Sequence, residues 1–346
     1  MSKNKAMKQI ENTEKRIMSE FGEYEPGAAL LVAAKGRVLY NRGFGLADLQ
    51  DGRPIQSDTP FLIGSVTKQF TAAAVLKLVG EKKLALEDPL LRHFPSFSAY
   101  EKDIRLHHLL THTSGIKEYL GDVFWEAAAK RPKDLNQEDV LTMIYGDLEL
   151  DFPPGTDWKY SNSGYVILGS LVAKVSGCSF GQYLKENFFV PLGMKDTTAP
   201  ASLGEAAENT AKGYEKDGLG FRPTPFHMGT VGWGDGNIIS TTEDLHRWKE
   251  AFFSNRLPVE TSLLKKAITS ARLTNGQKTQ YGYGWYIGRR RGLKEIWHSG
   301  GTLGFTARAS FFPKADVTMI LLANRQNAPL DLLLGDLADV FLHENF

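Results

Sequence analysis

Apolar and polar positions divide the chain into three stretches of different texture. Near the N-terminus, Ile10, Ile17 and Phe21 can share one face of a helix over residues 5–21. The stretch AALLVAAKGRVLYNRGF then reads as two strands joined at Lys35-Gly36. Pro60 to Gly64 leads into a segment from Ser65 to about Val79 whose body, FTAAAVLKLV, is apolar almost all round. A helix with no polar face belongs in the interior. From about 95 to 235, short helical patterns alternate with Gly/Pro-rich loops such as Phe152-Pro153-Pro154-Gly155. Strand patterns return in YGWYIG, KEIWHSG, ARASFFP and VTMILLAN, with a turn at Lys314-Ala315-Asp316. A helix begins after Thr241 with a good N-cap pattern, and another covers 330–343.

Short links between successive strands imply antiparallel pairing. The two strand-bearing ends must therefore meet in one sheet. The expected fold is α+β: an antiparallel sheet flanked by helices, built from 1–95 and 236–346, with 96–235 as an inserted, mainly helical domain.

Composition excludes several function classes. The 346 residues carry 41 basic and 40 acidic side chains, a net charge of +1. That balance points to neither nucleic acid nor a membrane surface as a partner. Arg289–Arg291 lies before Gly292 and reads as a solvated hairpin turn. Cys178 is the single cysteine, so neither an intrachain disulfide nor a cysteine-based metal cluster is available. The N-terminal text is charged and lacks an apolar run of signal-peptide length, which leads to the expectation of a cytoplasmic protein.

Candidate chemistry begins with Ser-x-x-Lys. On a helix, positions i and i+3 share a face, so the pattern sets an amine beside a hydroxyl. Serine needs such a base to act as a nucleophile. The pattern occurs four times: Ser2/Lys5, Ser65/Lys68, Ser114/Lys117 and Ser262/Lys265. Only Ser65 opens an apolar helix, where burial lowers the pKa of Lys68. Tyr160-Ser161-Asn162 follows a Pro/Gly loop and can present a phenol for proton relay and an amide for a carbonyl; as a turn plus N-cap it also reads simply. His298-Ser299-Gly300-Gly301 ends an apolar strand. Its two glycines let a substrate backbone approach, and the Gly301 amide can pair with that of Ser65 as an oxyanion hole.

These three motifs, in this order, resemble those of the serine β-lactamase and penicillin-binding protein superfamily. The similarity covers about residues 25–325, and the branch it most resembles holds class C β-lactamases, family VIII carboxylesterases and D-aminopeptidase-like hydrolases. The flanking text FLIGSVTKQFTAAAVL, HHLLTHTSGI, FPPGTDWKYSNSGY and HSGGTLGF carries it further. The resemblance implies Ser65 as acylated nucleophile and Lys68 as its base. It implies Tyr160 as base or proton relay, and Asn162 as orienter of Lys68 and binder of the substrate carbonyl. His298 would polarise near Tyr160, and the Ser65 and Gly301 amides, with Gly300, would form the oxyanion site. It implies no metal and no cofactor. Where many members have lysine, this chain has His298, a weaker and pH-dependent charge for a substrate carboxylate. The expectation is therefore an esterase acting on small-molecule ester, amide or peptide substrates. β-Lactamase and D-amino-acid peptidase activity are the alternatives, and a non-turning-over peptidoglycan sensor is the reading of another class.

Two other patterns have simpler explanations. Gly177-Cys178-Ser179-Phe180-Gly181 matches a nucleophile elbow, but the preceding segment has helical spacing, and Ser179 with Gln182 reads as a capping box. His107, His108 and His112 lack the glutamate of a zinc-binding His-Glu-x-x-His, so structural or capping roles are expected. Asp235 reads as a loop-stabilising residue that could border the cleft.

Overall fold

The computed structural model describes residues 14–95, 97, 103–130, 136–146, 149–200, 208–224 and 233–342. Its centre is a six-stranded antiparallel sheet of β1 (Ala28–Ala34), β2 (Arg37–Phe44), β3 (Tyr286–Arg290), β4 (Leu293–Thr302), β5 (Phe305–Phe312) and β6 (Val317–Ala323). The strand order is β2-β1-β6-β5-β4-β3. The two ends of the chain thus meet where β1 pairs β6, from Ala28 opposite Ala323 to Ala34 opposite Val317.

The sheet explains why these strands look apolar at every position. Side chains alternate between faces. Ala29, Leu31, Ala33, Ile320 and Leu322 join one cluster. Ala28, Leu30, Val32, Met319 and Leu321 join the other, beneath the C-terminal helix. Both faces of β1 and β6 are therefore covered. The hairpin turns have the left-handed backbone that tight links require: Lys35 and Gly36 after β1, and Arg291 and Gly292 between β3 and β4. The arginine run is this second hairpin, with Arg290 paired to Glu295 and Arg291 to Asp339.

Six helices matter for the site and its support: α1 (Lys68–Gly80), α2 (Leu106–Thr111), α3 (Asp122–Lys130), α4 (Asn162–Ser176), α5 (Thr242–Phe253) and α6 (Leu330–Leu342). α1 has ten of its residues buried and packs on α4. One cluster runs without a break from the sheet through α1 into α2 and α4. The core therefore divides by sheet face, and the helical excursion shares its interior with the sheet. Thr241 accepts from the Asp244 amide at 3.1 Å and caps α5 as expected. The expected N-terminal helix is described over 14–20; its residues 5–13 lie outside the described residues, as does residue 343 of the last helix. Among the described residues, no single helix is long and apolar enough to cross a membrane.

The start of α1 departs from the sequence reading. Ser65 lies in a 3-10 turn, Gly64–Thr67, and the α-helix begins at Lys68. The cause is close packing. Gly64 is left-handed (φ 51°), and a Cβ there would come within 3.0 Å of the Gly301 nitrogen. A Cβ on Gly300 would fall 2.0 Å from the Ile63 carbonyl oxygen. β4 thus presses its glycine edge directly against the turn that carries Ser65.

Candidate active site

Lys68 is fully buried. Its ammonium donates to three acceptors: Ser65 Oγ at 2.9 Å, Asn162 Oδ1 at 2.7 Å and the Asp235 carbonyl at 2.9 Å. The rings of Tyr160 and Tyr165 lie 4.9 and 5.5 Å from Nζ. Three donors and three acceptors leave no fourth partner. When the amine is neutral, two protons can serve Asn162 and Asp235, and its lone pair is left facing Ser65. Burial pushes Lys68 down to about 8, while the carboxylates of Asp235 and Glu118 oppose that shift. At pH 7.5, about a quarter of such a group is neutral, against roughly one part in a thousand for an exposed lysine.

Asn162 is the first residue of α4, and it is held by a residue that the sequence reading missed. Glu118 Oε2 accepts from the Asn162 amide nitrogen at 2.7 Å and from its Nδ2 at 3.2 Å. The carboxylate therefore caps the helix and fixes the amide flip, so that Oδ1 faces Lys68. Ser161, the residue in the N-cap position, makes no side-chain capping bond. Ser163 ties the same corner by donating to the Lys117 carbonyl at 2.6 Å and accepting from the Tyr119 amide at 2.9 Å. No local sequence pattern marks Glu118; it matters because residues 117–119 lie against the start of α4.

Tyr160 stands beside this group. Its ring is 4.3 Å from that of His112 and parallel to Tyr286 at 6.4 Å. Its hydroxyl is buried and makes no hydrogen bond among the described residues. Burial raises its pKa well above 10, and Ser65 is the neighbour that favours the ionised form. His112 Nδ1 accepts from the Ser161 amide at 3.2 Å, and its carbonyl accepts from Lys159 at 3.1 Å. The left-handed residue ending α2 thus anchors the loop that presents Tyr160.

Asp235 is more than a loop brace. Its carbonyl holds Lys68, its Oδ2 accepts from Tyr119 at 3.2 Å, and its Oδ1 is buried without a partner among the described residues. Burial raises the carboxyl to about 6, with Lys68 opposing.

His298 differs from expectation in its charge. It is 1% exposed, with Nε2 2.9 Å from the Tyr281 hydroxyl and Nδ1 2.6 Å from the Ser299 carbonyl. A carbonyl only accepts, so Nδ1 carries the proton and Nε2 accepts from Tyr281. Burial, reinforced by Lys68, pushes the imidazole down to about 3. At neutral pH it is uncharged, and the anticipated positive charge for a substrate carboxylate is missing. Its ring is 6.1 Å from that of Tyr160.

The other candidates separate. Ser114 Oγ accepts from Ile116 in a turn, Ser262 and Lys265 lie exposed on the short helix Thr261–Ala267, and Ser2 lies outside the described residues. Ser179 Oγ accepts from the Gln182 amide at 3.2 Å between two helices, so the elbow geometry is absent there. Cys178 is half-buried against the core. His107 Nδ1 meets the Tyr283 hydroxyl at 2.9 Å, and His108 Nδ1 accepts from Arg105 at 3.2 Å; both have structural roles. Among the described residues, no group of three or more His, Cys, Asp or Glu side chains could hold a metal ion.

Ser65, Asn162, Asp235, Gly236 and Gly301 line a cleft of about 290 Å³. A Cβ on Gly300 would also lie 3.2 Å from the Ser65 nitrogen, so strand and turn are in direct contact at the point where both amides lie. Gly300→Ala is expected to displace the turn and lower kcat by about 100-fold or more, on the scale of losing one oxyanion donor. Circular dichroism should show the fold retained, and unchanged turnover would disprove the role given to this contact.

An antiparallel sheet with a Ser-x-x-Lys where its central helix begins is the arrangement of the β-lactamase and penicillin-binding protein class of serine hydrolases. The chain belongs to the Beta-lactamase family, whose model matches residues 15–340. It is 30% identical over 336 residues to penicillin-binding protein 4* of Bacillus subtilis (strain 168), covering 91% of this chain and 73% of that protein. It is also 30% identical to protein flp of Staphylococcus aureus (strain MW2) over 86% of this chain, but spans only 59% of that protein. The structure of the octameric penicillin-binding protein homologue from Pyrococcus abyssi superposes with a TM-score of 0.83 at 29% identity, covering 96% of this chain and 77% of that one.

Proposed function

We propose that this chain hydrolyses small esters and amides through an acyl-enzyme on Ser65. The observation that carries the reading is Lys68, buried and hydrogen-bonded at once to Ser65, Asn162 and Asp235. In the first step Ser65 Oγ bonds to the carbonyl carbon and its proton passes to Lys68. The amides of Ser65 and Gly301 hold the oxyanion. The carbonyl re-forms, the bond to the leaving group breaks, and the proton reaches the departing atom through Lys68 and Tyr160. Water then adds to the acyl-enzyme, its proton follows the reverse route, and the acid leaves with Ser65 restored.

Uncharged His298 favours esters and neutral amides over substrates recognised by a carboxylate, such as penicillins and peptides ending in D-alanine. Intact-mass spectrometry after treatment with a fluorophosphonate should show one adduct, and peptide mapping should place it on Ser65. In parallel assays, a short-chain nitrophenyl ester should turn over faster than a D-alanyl amide or a chromogenic cephalosporin. Fast cephalosporin turnover with an inert ester would favour a β-lactamase. An acyl-enzyme that lasts for hours without turnover would favour a sensor.

A further inference from the structure

The cleft beside Ser65 has an apolar wall made by Leu120, Trp125, Leu303 and Phe305. Trp125 is 42% exposed, although its neighbour Phe124 is fully buried. A large ring left in water forgoes the usual gain from burial, about 25 cal/mol per Å². It is also held firmly. The Phe124 ring is 5.2 Å from that of Trp125, and Tyr119 meets Phe124 edge-on at 5.1 Å. Tyr119 in turn donates to Asp235. The indole is therefore a supported aromatic surface joined to the site, with a large part of it exposed.

The geometry also separates the two halves of a substrate. The leaving atom must receive a proton, and the proton route is Lys68 and Tyr160. Neither is among the residues that line this cleft, and nor are His112 and Tyr286, the rings against which Tyr160 packs. The leaving group therefore belongs on the Tyr160 side, and the acyl half faces Trp125. Among the described lining residues the ionisable one is Asp235, which disfavours an anionic acyl group. At about 290 Å³, the cleft is at the small end of ligand pockets.

We propose that Trp125 is a specificity-determining residue of an acyl subsite that takes uncharged, single-ring aromatic acyl groups. The proposal rests on the acyl-enzyme reading of Ser65. Two isomeric esters test it: methyl phenylacetate carries its ring on the acyl side, and benzyl acetate carries it on the leaving side. The quantity read is the ratio of their kcat/KM values. Trp125→Ala should lower the ratio of phenylacetate to acetate about tenfold, the scale of an aromatic contact plus its buried area. Trp125→Gln, which keeps a side chain of some length without the aromatic face, should fall similarly, and Trp125→Phe should stay within about threefold of the parent. An unchanged or raised ratio in both the Ala and Gln variants, with Ser65 still labelled by a fluorophosphonate, overturns the subsite alone. A parent protein whose Ser65 is not labelled overturns the acyl-enzyme reading, and the subsite with it.

Discussion

Ser65→Ala is expected to lower kcat/KM for an activated ester by about 10⁴-fold or more, the scale seen when a serine nucleophile is removed. The loss follows from bonding: without Oγ no acyl-enzyme forms, and only binding and the oxyanion amides remain to favour direct attack by water. The variant should fold normally, because the hydroxyl is half-buried and Lys68 keeps its bonds to Asn162 and Asp235. Steady-state kinetics and fluorophosphonate labelling check this together. Ester hydrolysis at the parent rate in Ser65→Ala would remove the basis of the proposed mechanism.

The second large effect concerns Lys68. Lys68→Ala should lower kcat/KM by about 10³-fold, within the range for loss of a general base. Lys68→Arg should not rescue it, because a guanidinium does not give up its proton in proteins. The pH profile separates the base from a merely structural cation. The reacting form is the neutral amine, and burial brings its pKa from 10.5 to about 8. Below that value the neutral fraction grows tenfold per pH unit, and above it the fraction saturates. The parent kcat/KM should therefore rise with pH and level off above about 8, after subtraction of the hydroxide reaction. In Lys68→Ala that limb should vanish. A parent profile that is flat from pH 6 to 9 would contradict Lys68 as the base.

His298 shows how burial changes the meaning of a residue type. In sequence His298 stands where the resemblance leads one to expect a lysine, and histidine suggests a charge that appears below pH 6.5. In the fold, Tyr281 and the Ser299 carbonyl use both ring nitrogens, and Lys68 adds repulsion. The imidazole becomes a neutral, fixed spacer between β4 and the aromatic group around Tyr160. The proposed preference for uncharged substrates then rests on the absence of a charge at His298 rather than on a weakened one.

Local sequence determined a good deal about this protein. Alternation and apolar runs placed the strands, Lys35-Gly36 and Arg291-Gly292 marked the hairpins, and Thr241 and Ser179 announced their helices, because caps and turns depend on neighbours a few residues away. The order of the three motifs pointed to the family to which the chain belongs. Tertiary structure decided what those motifs are. Lys68 is selected from four similar pairs by acceptors 94 and 167 positions further along the chain. Gly284 is needed because a Cβ there would come within 2.5 Å of the Lys68 carbonyl oxygen, and the 3-10 turn at Ser65 exists because β4 presses against it. Glu118 and Trp125 stand in no motif that spacing could reveal, and Asp235 was legible only as a loop residue beside the cleft. Periodicity registers which face of an element is buried; it does not register which distant charge or ring that face will meet, and burial beside such partners sets the pKa of Lys68 and the neutrality of His298.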